Sequence, residues 1–185
     1  MHKKLIKYIE SYDEIQKEKS YFLVPNGGMI VLINQKNRCE VIIDDNSYIV
    51  ESYQSVLINA YTSNVEIKSD EIIDLVAIRF KGAGASFFYE EYMDELMYNP
   101  NEIILLEKEP LEEKIDTYLL NRLKVGTIPF NIMKIIDLLD EQKNNYNIDE
   151  LLAIANVPRR TVDKIFRLRV GMTFKTYASI KEQMN

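Results

Sequence analysis

The spacing of apolar residues changes near Phe80, and no single layer of secondary structure accommodates both halves. Before that point Tyr21 to Val24, Met29 to Ile33, Glu40 to Ile43, Ser55 to Ile58 and Asp74 to Phe80 are short runs rich in β-branched and aromatic side chains. Such residues suit a pleated, half-buried surface. Turn-forming clusters separate the runs: Pro25-Asn26-Gly27-Gly28, Lys36-Asn37-Arg38, Asp44-Asp45-Asn46-Ser47 and Thr62-Ser63-Asn64. Several short strands at intervals of roughly 8–12 residues predict a sandwich or barrel.

After Phe80 the repeat becomes helical. Phe87, Phe88, Met93, Leu96 and Met97 suit one face of a short helix or two between Ala83 and Met97. Leu111, Ile115, Tyr118, Leu119 and Leu123 recur at helical spacing over Pro110 to Leu123, with Pro110 as a first-turn residue and Gly126 as the stop. Beyond Lys124 to Pro129 everything reads as helix: Phe130 to Gln142, Ile148 to Ala155, Arg159 to Arg169 and Thr173 to Gln183. The prediction is an α+β chain of two modules, a β-rich body over 1–126 with helices at its end and a small all-α unit over 127–185.

Charge divides along the same line. The whole chain carries a net charge of -6. From Asn156 to Asn185, however, seven basic residues face only Asp163 and Glu182, a net of +5, while the remaining 16 basic and 27 acidic residues give -11. An acidic body with a basic end is expected where one element touches an anionic partner. No stretch reaches the ~18 consecutive apolar residues of a membrane span, so no membrane partner is expected. The basic N-terminus meets Tyr8, Glu10, Asp13 and Glu14 before a signal-peptide core can form. A single cysteine, Cys39, cannot form an internal disulfide. These features predict a cytoplasmic protein.

The chemistry-bearing motifs are few. Gly82-Ala83-Gly84 sits between a strand and a helix, but Phe87 occupies the third glycine position of a dinucleotide fingerprint and no alternating βαβ pattern surrounds it. A tight strand-to-helix turn explains these glycines better. Metal sites of barrel folds need several histidines, and the chain has one, His2. The pairs Glu90-Glu91 and Glu112-Glu113 splay around a helix and do not converge. Cys39 has no histidine partner nearby in sequence. No enzyme activity, metal or cofactor is expected. Tyr48, Tyr53 and Tyr61 are candidates to line a ligand cavity, with core packing the more frequent fate of such aromatics.

The basic end is more specific. Asn147 followed three residues later by Glu150 has the form of a capping box, so a helix should start there. It runs only to Ala155 before Asn156-Val157-Pro158, where Asn tolerates a left-handed conformation and Pro opens a new helix. In that second helix Val162, Ile165 and Phe166 form an apolar stripe, leaving Arg159, Arg160, Asp163, Lys164 and Arg167 on the other side. Arginines on an exposed helix face can pair with guanine edges and phosphates, although a plain solvated face has the same composition.

The run from Ile148 through Phe166, followed by Val170-Gly171-Met172-Thr173 and Tyr177, resembles the first helix-turn-helix of AraC/XylS-type transcription regulators. Gly171 is expected to end the second helix and Thr173 to cap the next, with Phe174 and Tyr177 returning to the core. Leu23-Val24-Pro25-Asn26-Gly27-Gly28 and Ile78-Arg79-Phe80-Lys81-Gly82 are similar to segments of the β-rich, cupin-like sensory domain found in front of some members. The resemblance implies a regulator that ends after one helix-turn-helix, binding double-stranded DNA through Arg159, Arg160, Lys164 and Arg167. It further implies a homodimer and a small-molecule effector. The chain departs from the family at Pro158, which cannot cap through a side chain where Ser or Thr is usual, and at Leu152, where Ala is usual. The alternative, motivated by the missing second helix-turn-helix, is a non-DNA-binding interaction protein that dimerises with or antagonises a full-length regulator. A third reading is a small-molecule binding module.

Overall fold

The structure, a computed structural model, describes residues 2–59, 64–89, 92–93, 111–124, 128–141 and 147–184. Six strands come first: β1 Ile9–Leu23, β2 Ile30–Asn34, β3 Cys39–Ile43, β4 Asn46–Val50, β5 Ser55–Ile58 and β6 Val65–Phe80. A 3₁₀ turn, Gly84–Phe87, leads to helices α1 Leu111–Arg122, α2 Phe130–Glu141, α3 Ile148–Ala155, α4 Arg159–Val170 and α5 Phe174–Gln183. The expected elements at Leu96, Met97 and Gly126 lie outside the described residues.

β6 organises a single antiparallel sheet. Along one edge it pairs with β1 from Ile9↔Phe80 to Leu23↔Val65. Its other edge takes β3 opposite residues 65–68 and β2 opposite residues 75–79. β4 and β5 extend these two ends, giving the order β4-β3-β6-β2-β5. The strands curl around an aliphatic interior that includes Leu23, Ile30, Leu32, Val41, Val65 and Ile67. Tyr48 packs against that interior, whereas Tyr53 is exposed and Tyr61 lies outside the described residues.

Two strands exceed the prediction. β1 begins at Ile9 and ends at Leu23, not at Tyr21 to Val24, and β6 begins at Val65, not at Asp74. Ile9, Ile15, Val65, Ile67 and Ile73 of the added stretches are buried, while the polar residues among them meet water, and pairing with a long partner overrides their weak intrinsic preference. β4 was expected as part of a turn. The turn contracts to Asp44-Asp45, because Ile43 pairs directly with Asn46 and Asp44 adopts φ +52°. Short polar side chains tolerate that left-handed conformation in a two-residue hairpin.

β2 is buried on both faces. Ile30 and Leu32 fill the curl, while Val31 and Ile33 join Ile78 and Phe80 against the helices. This second core runs without a break from Leu5 and Phe80 to Ile115, Ile135, Phe166 and Tyr177. It therefore has members on both sides of residue 126, the expected boundary, which itself lies outside the described residues.

Tyr177 occupies the centre of the junction. Its ring is fully buried, and a Cβ at Gly27 would stand 2.8 Å from it. A Cβ at Gly82 would stand 2.7 Å from its hydroxyl. Both glycines have positive φ, so only glycine meets the backbone and spatial demands of this approach. The Tyr177 hydroxyl donates to Asp140 Oδ1 at 2.6 Å, and Lys181 Nζ lies 3.0 Å from the same oxygen. Burial of the phenol and of the Lys181 ammonium is tolerated because Asp140, which stays partly exposed, supplies a partner to both.

Candidate nucleic-acid interface

α3, the turn after it, α4 and the start of α5 form the candidate site. Asn147 caps α3 by accepting from the Asp149 backbone N–H at 3.0 Å. The reciprocal half of the expected capping box is not formed: Glu150 is exposed and makes no hydrogen bond to Asn147. Asn156 ends the helix in the left-handed region at φ +50°, as its residue type predicts. Pro158 opens α4 with no side-chain cap, in line with its lack of a polar side chain.

α4 is anchored by Val162, Phe166 and Val170 at successive i+4 positions, with Ile165 only partly buried. The expected stripe of Val162, Ile165 and Phe166 is thus rotated towards Val170, which replaces Ile165 as its third fully buried member. Phe166 stacks edge-on against Phe174 and Tyr177 at centroid distances of 5.2 and 5.7 Å. Gly171 ends α4 at φ +92°, and Thr173 Oγ1 caps α5 by accepting from the Thr176 N–H.

Away from that stripe Arg160, Lys164 and Arg167 are exposed, as is Arg159 at the helix start above it. None forms an ion pair with a described residue. At about 100° per residue, Arg160, Lys164 and Arg167 fall within about 60° of one another, with Arg159 on the flank. The structure therefore brings three of the expected contact residues onto one line and sets the fourth beside it. The acidic body leaves this face open.

The N-terminal end of α4 opposes its own dipole, whereas Arg167 and Arg169 in the last turn suit it. No acidic residue lies in its first turn, while Arg159 and Arg160 do. Cations at a helix N-terminus are unfavourable for the isolated helix, and an anion docked there relieves the conflict.

The other end of α4 is held by the body. The Met93 N–H donates to the Leu168 carbonyl at 2.9 Å, and Arg169 lies over the Tyr92 ring at 5.6 Å. Asn59, itself buried, donates through its side chain to the Met93 carbonyl and packs against Gly171. This clasp was not visible in the sequence, because its parts are far apart along the chain and carry no local motif.

The architecture is α+β: a curled, cupin-like antiparallel sheet carrying a small helical unit with a helix-turn-helix. Two solved structures share it over most of the chain. ToxT from Vibrio cholerae superposes with a TM-score of 0.54 at 11% identity, covering 92% of this chain and 79% of that one. ToxT from Vibrio cholerae O395 bound to (E)-4-(8-methylnaphthalen-1-yl)but-3-enoic acid gives a TM-score of 0.53 at 12% identity, covering 92% and 80%. At these identities the likeness is one of fold. No family model and no curated protein matches the sequence. Among the described residues no helix is long and apolar enough to cross a membrane.

Proposed function

We propose that the chain is a non-catalytic, cytoplasmic transcription regulator of AraC type that binds double-stranded DNA through α4. The observation that carries this reading is the open face of Arg160, Lys164 and Arg167, flanked by Arg159, on a helix whose other side is anchored by Val162, Phe166 and Val170. Four cations without acidic partners, at a helix start that favours anions, suit phosphates and guanine edges.

One small reader supplies few contacts, so a homodimer is part of the proposal. Two readers about 34–36 Å apart would meet successive turns of the groove. A small-molecule effector is the second input. Its candidate site is the apolar seam between Val31, Ile33 and Ile78 of the sheet and Ile115 and Leu119 of α1, which holds only about 10 Å³ of free space and would have to open to admit a ligand. Arg122 lies over the neighbouring Tyr89 and Tyr118 rings, at 5.4 and 4.9 Å. That combination suits an apolar ligand with an anionic end, the chemistry of the acid bound in the second ToxT structure.

The test is binding to a pool of random duplex DNA at low and moderate salt, with the intact chain and with Arg159→Ala/Arg160→Ala/Arg167→Ala. Between 50 and 200 mM salt, three or four neutralised phosphates predict a loss of about 40- to 150-fold in affinity, and twice as many predict a loss on the order of 10³- to 10⁴-fold. The slope thus also separates one reader from two. Binding with sequence enrichment, lost in the triple variant, is expected. A folded dimer that binds no DNA in either form refutes the reading and leaves the interaction protein, a partner or antagonist of a full-length regulator.

A further inference from the structure

Asp163 is the one acidic residue within the basic face of α4. It lies four residues after Arg159, three after Arg160 and four before Arg167, spacings at which helix side chains are neighbours. It is half-buried, and it pairs with none of them. A face that only neutralised phosphates would be weakened by a carboxylate between Arg159 and Arg167, since it repels the backbone and offsets one of the contacts. The residue needs a different partner from its neighbours.

Its chemistry restricts that partner. An ionised carboxylate only accepts hydrogen bonds. In the major groove guanine presents two acceptors and thymine an acceptor beside a methyl, so both are disfavoured. Adenine offers a donor with an acceptor next to it, whereas cytosine offers its N4 amino donor without an adjacent acceptor. Asp also has the shortest stem of the face. It can meet a base edge only where α4 lies deepest in the groove, while the longer arginines reach outward to phosphates or to guanine.

Resting on the DNA-binding reading above, we infer that Asp163 is a specificity-determining residue that selects a cytosine in the recognition site, with an arginine of the same face on a guanine nearby. The test compares sequences enriched from randomised duplex DNA by the full chain, by Asp163→Ala and by Asp163→Asn. The wild-type profile is expected to prefer cytosine at one position by tenfold or more. Asp163→Ala should flatten that position alone. Asp163→Asn should turn it towards adenine, because an amide both donates to N7 and accepts from N6.

Unchanged profiles in both variants, with binding still abolished by the triple arginine substitution, overturn this inference and leave DNA binding intact. Flattening at a guanine and not at a cytosine also overturns it, because Asp163 would then be bracing an arginine. Absence of DNA binding by the folded wild-type chain refutes the parent reading. Matching thermal unfolding of the three proteins secures the comparison, and the Asp-to-Asn change preserves the shape of the side chain.

Discussion

Removing one oxygen from Tyr177 should loosen the seam between the sheet and the helices. The ring is fully buried against Gly27 and Gly82, and its hydroxyl donates to Asp140 Oδ1 at 2.6 Å. A hydrogen bond to a charged acceptor contributes about 1.5–3 kcal/mol. Asp140 keeps Lys181 at 3.0 Å, and its side chain is 23% exposed, so part of the loss is recovered by that pair and by water. Tyr177→Phe is therefore expected to cost about 1–2 kcal/mol, which for a chain of this size lowers Tm by roughly 2–6 °C. Tyr177→Ala also empties the space between the two glycines and should cost roughly 3–5 kcal/mol. Urea unfolding followed by circular dichroism measures both, and a cycle with Asp140→Ala isolates the coupling between the two groups. A phenylalanine variant as stable as the wild type, or full additivity with Asp140→Ala, would refute the claim that this hydrogen bond secures the seam.

Three further outcomes follow from the body and the clasp. Burial, and secondly the Glu51 charge, push the Cys39 thiol from its ordinary value of 9.0 up to about 11, so thiol reagents should label it only as the chain unfolds in urea. Because the unfolded thiol loses its proton at lower pH than the folded one, this group lowers stability as pH rises from about 9 to about 11, an effect that Cys39→Ser should remove from the pH profile of unfolding. Gly171→Ala places a Cβ 2.5 Å from Asn59 Oδ1 at a φ of +92°, and thermal unfolding should register a loss of about 1–3 kcal/mol.

The helical half was legible because its signals are local. Asn147, Asn156, Gly171 and Thr173 each occupy the helix boundary that their side chains or backbone freedom predict. The exposed cations were equally legible, since they all lie on one helix whose buried stripe fixes its orientation. β1 was not. Asp13 to Lys19 holds five charged residues in seven, and its extended form comes from pairing with β6 far along the chain. Between the pairs Glu18↔Ile72 and Ser20↔Lys68 the single residue Lys19, with φ +64°, stands opposite three residues of β6, a register shift that period-two reasoning cannot anticipate. Likewise nothing near Leu168 announces that Met93 supplies its hydrogen-bond donor or that Asn59 lies against Gly171.

That clasp removes the swivel that a linker alone would give the basic helix α4. With Leu168 bonded to Met93, Arg169 over Tyr92 and Gly171 against Asn59, the bearing of α4 is set by the body and not by the connecting chain. In a two-copy assembly the subunit contact would then fix both the separation and the relative angle of the two readers. A site lengthened by one base pair moves its second half by roughly 3.4 Å along the helix axis. It also rotates that half about the axis, so the assembly would have to bend DNA or break a clasp to follow. Such a molecule measures the distance between half-sites as strictly as it reads their letters.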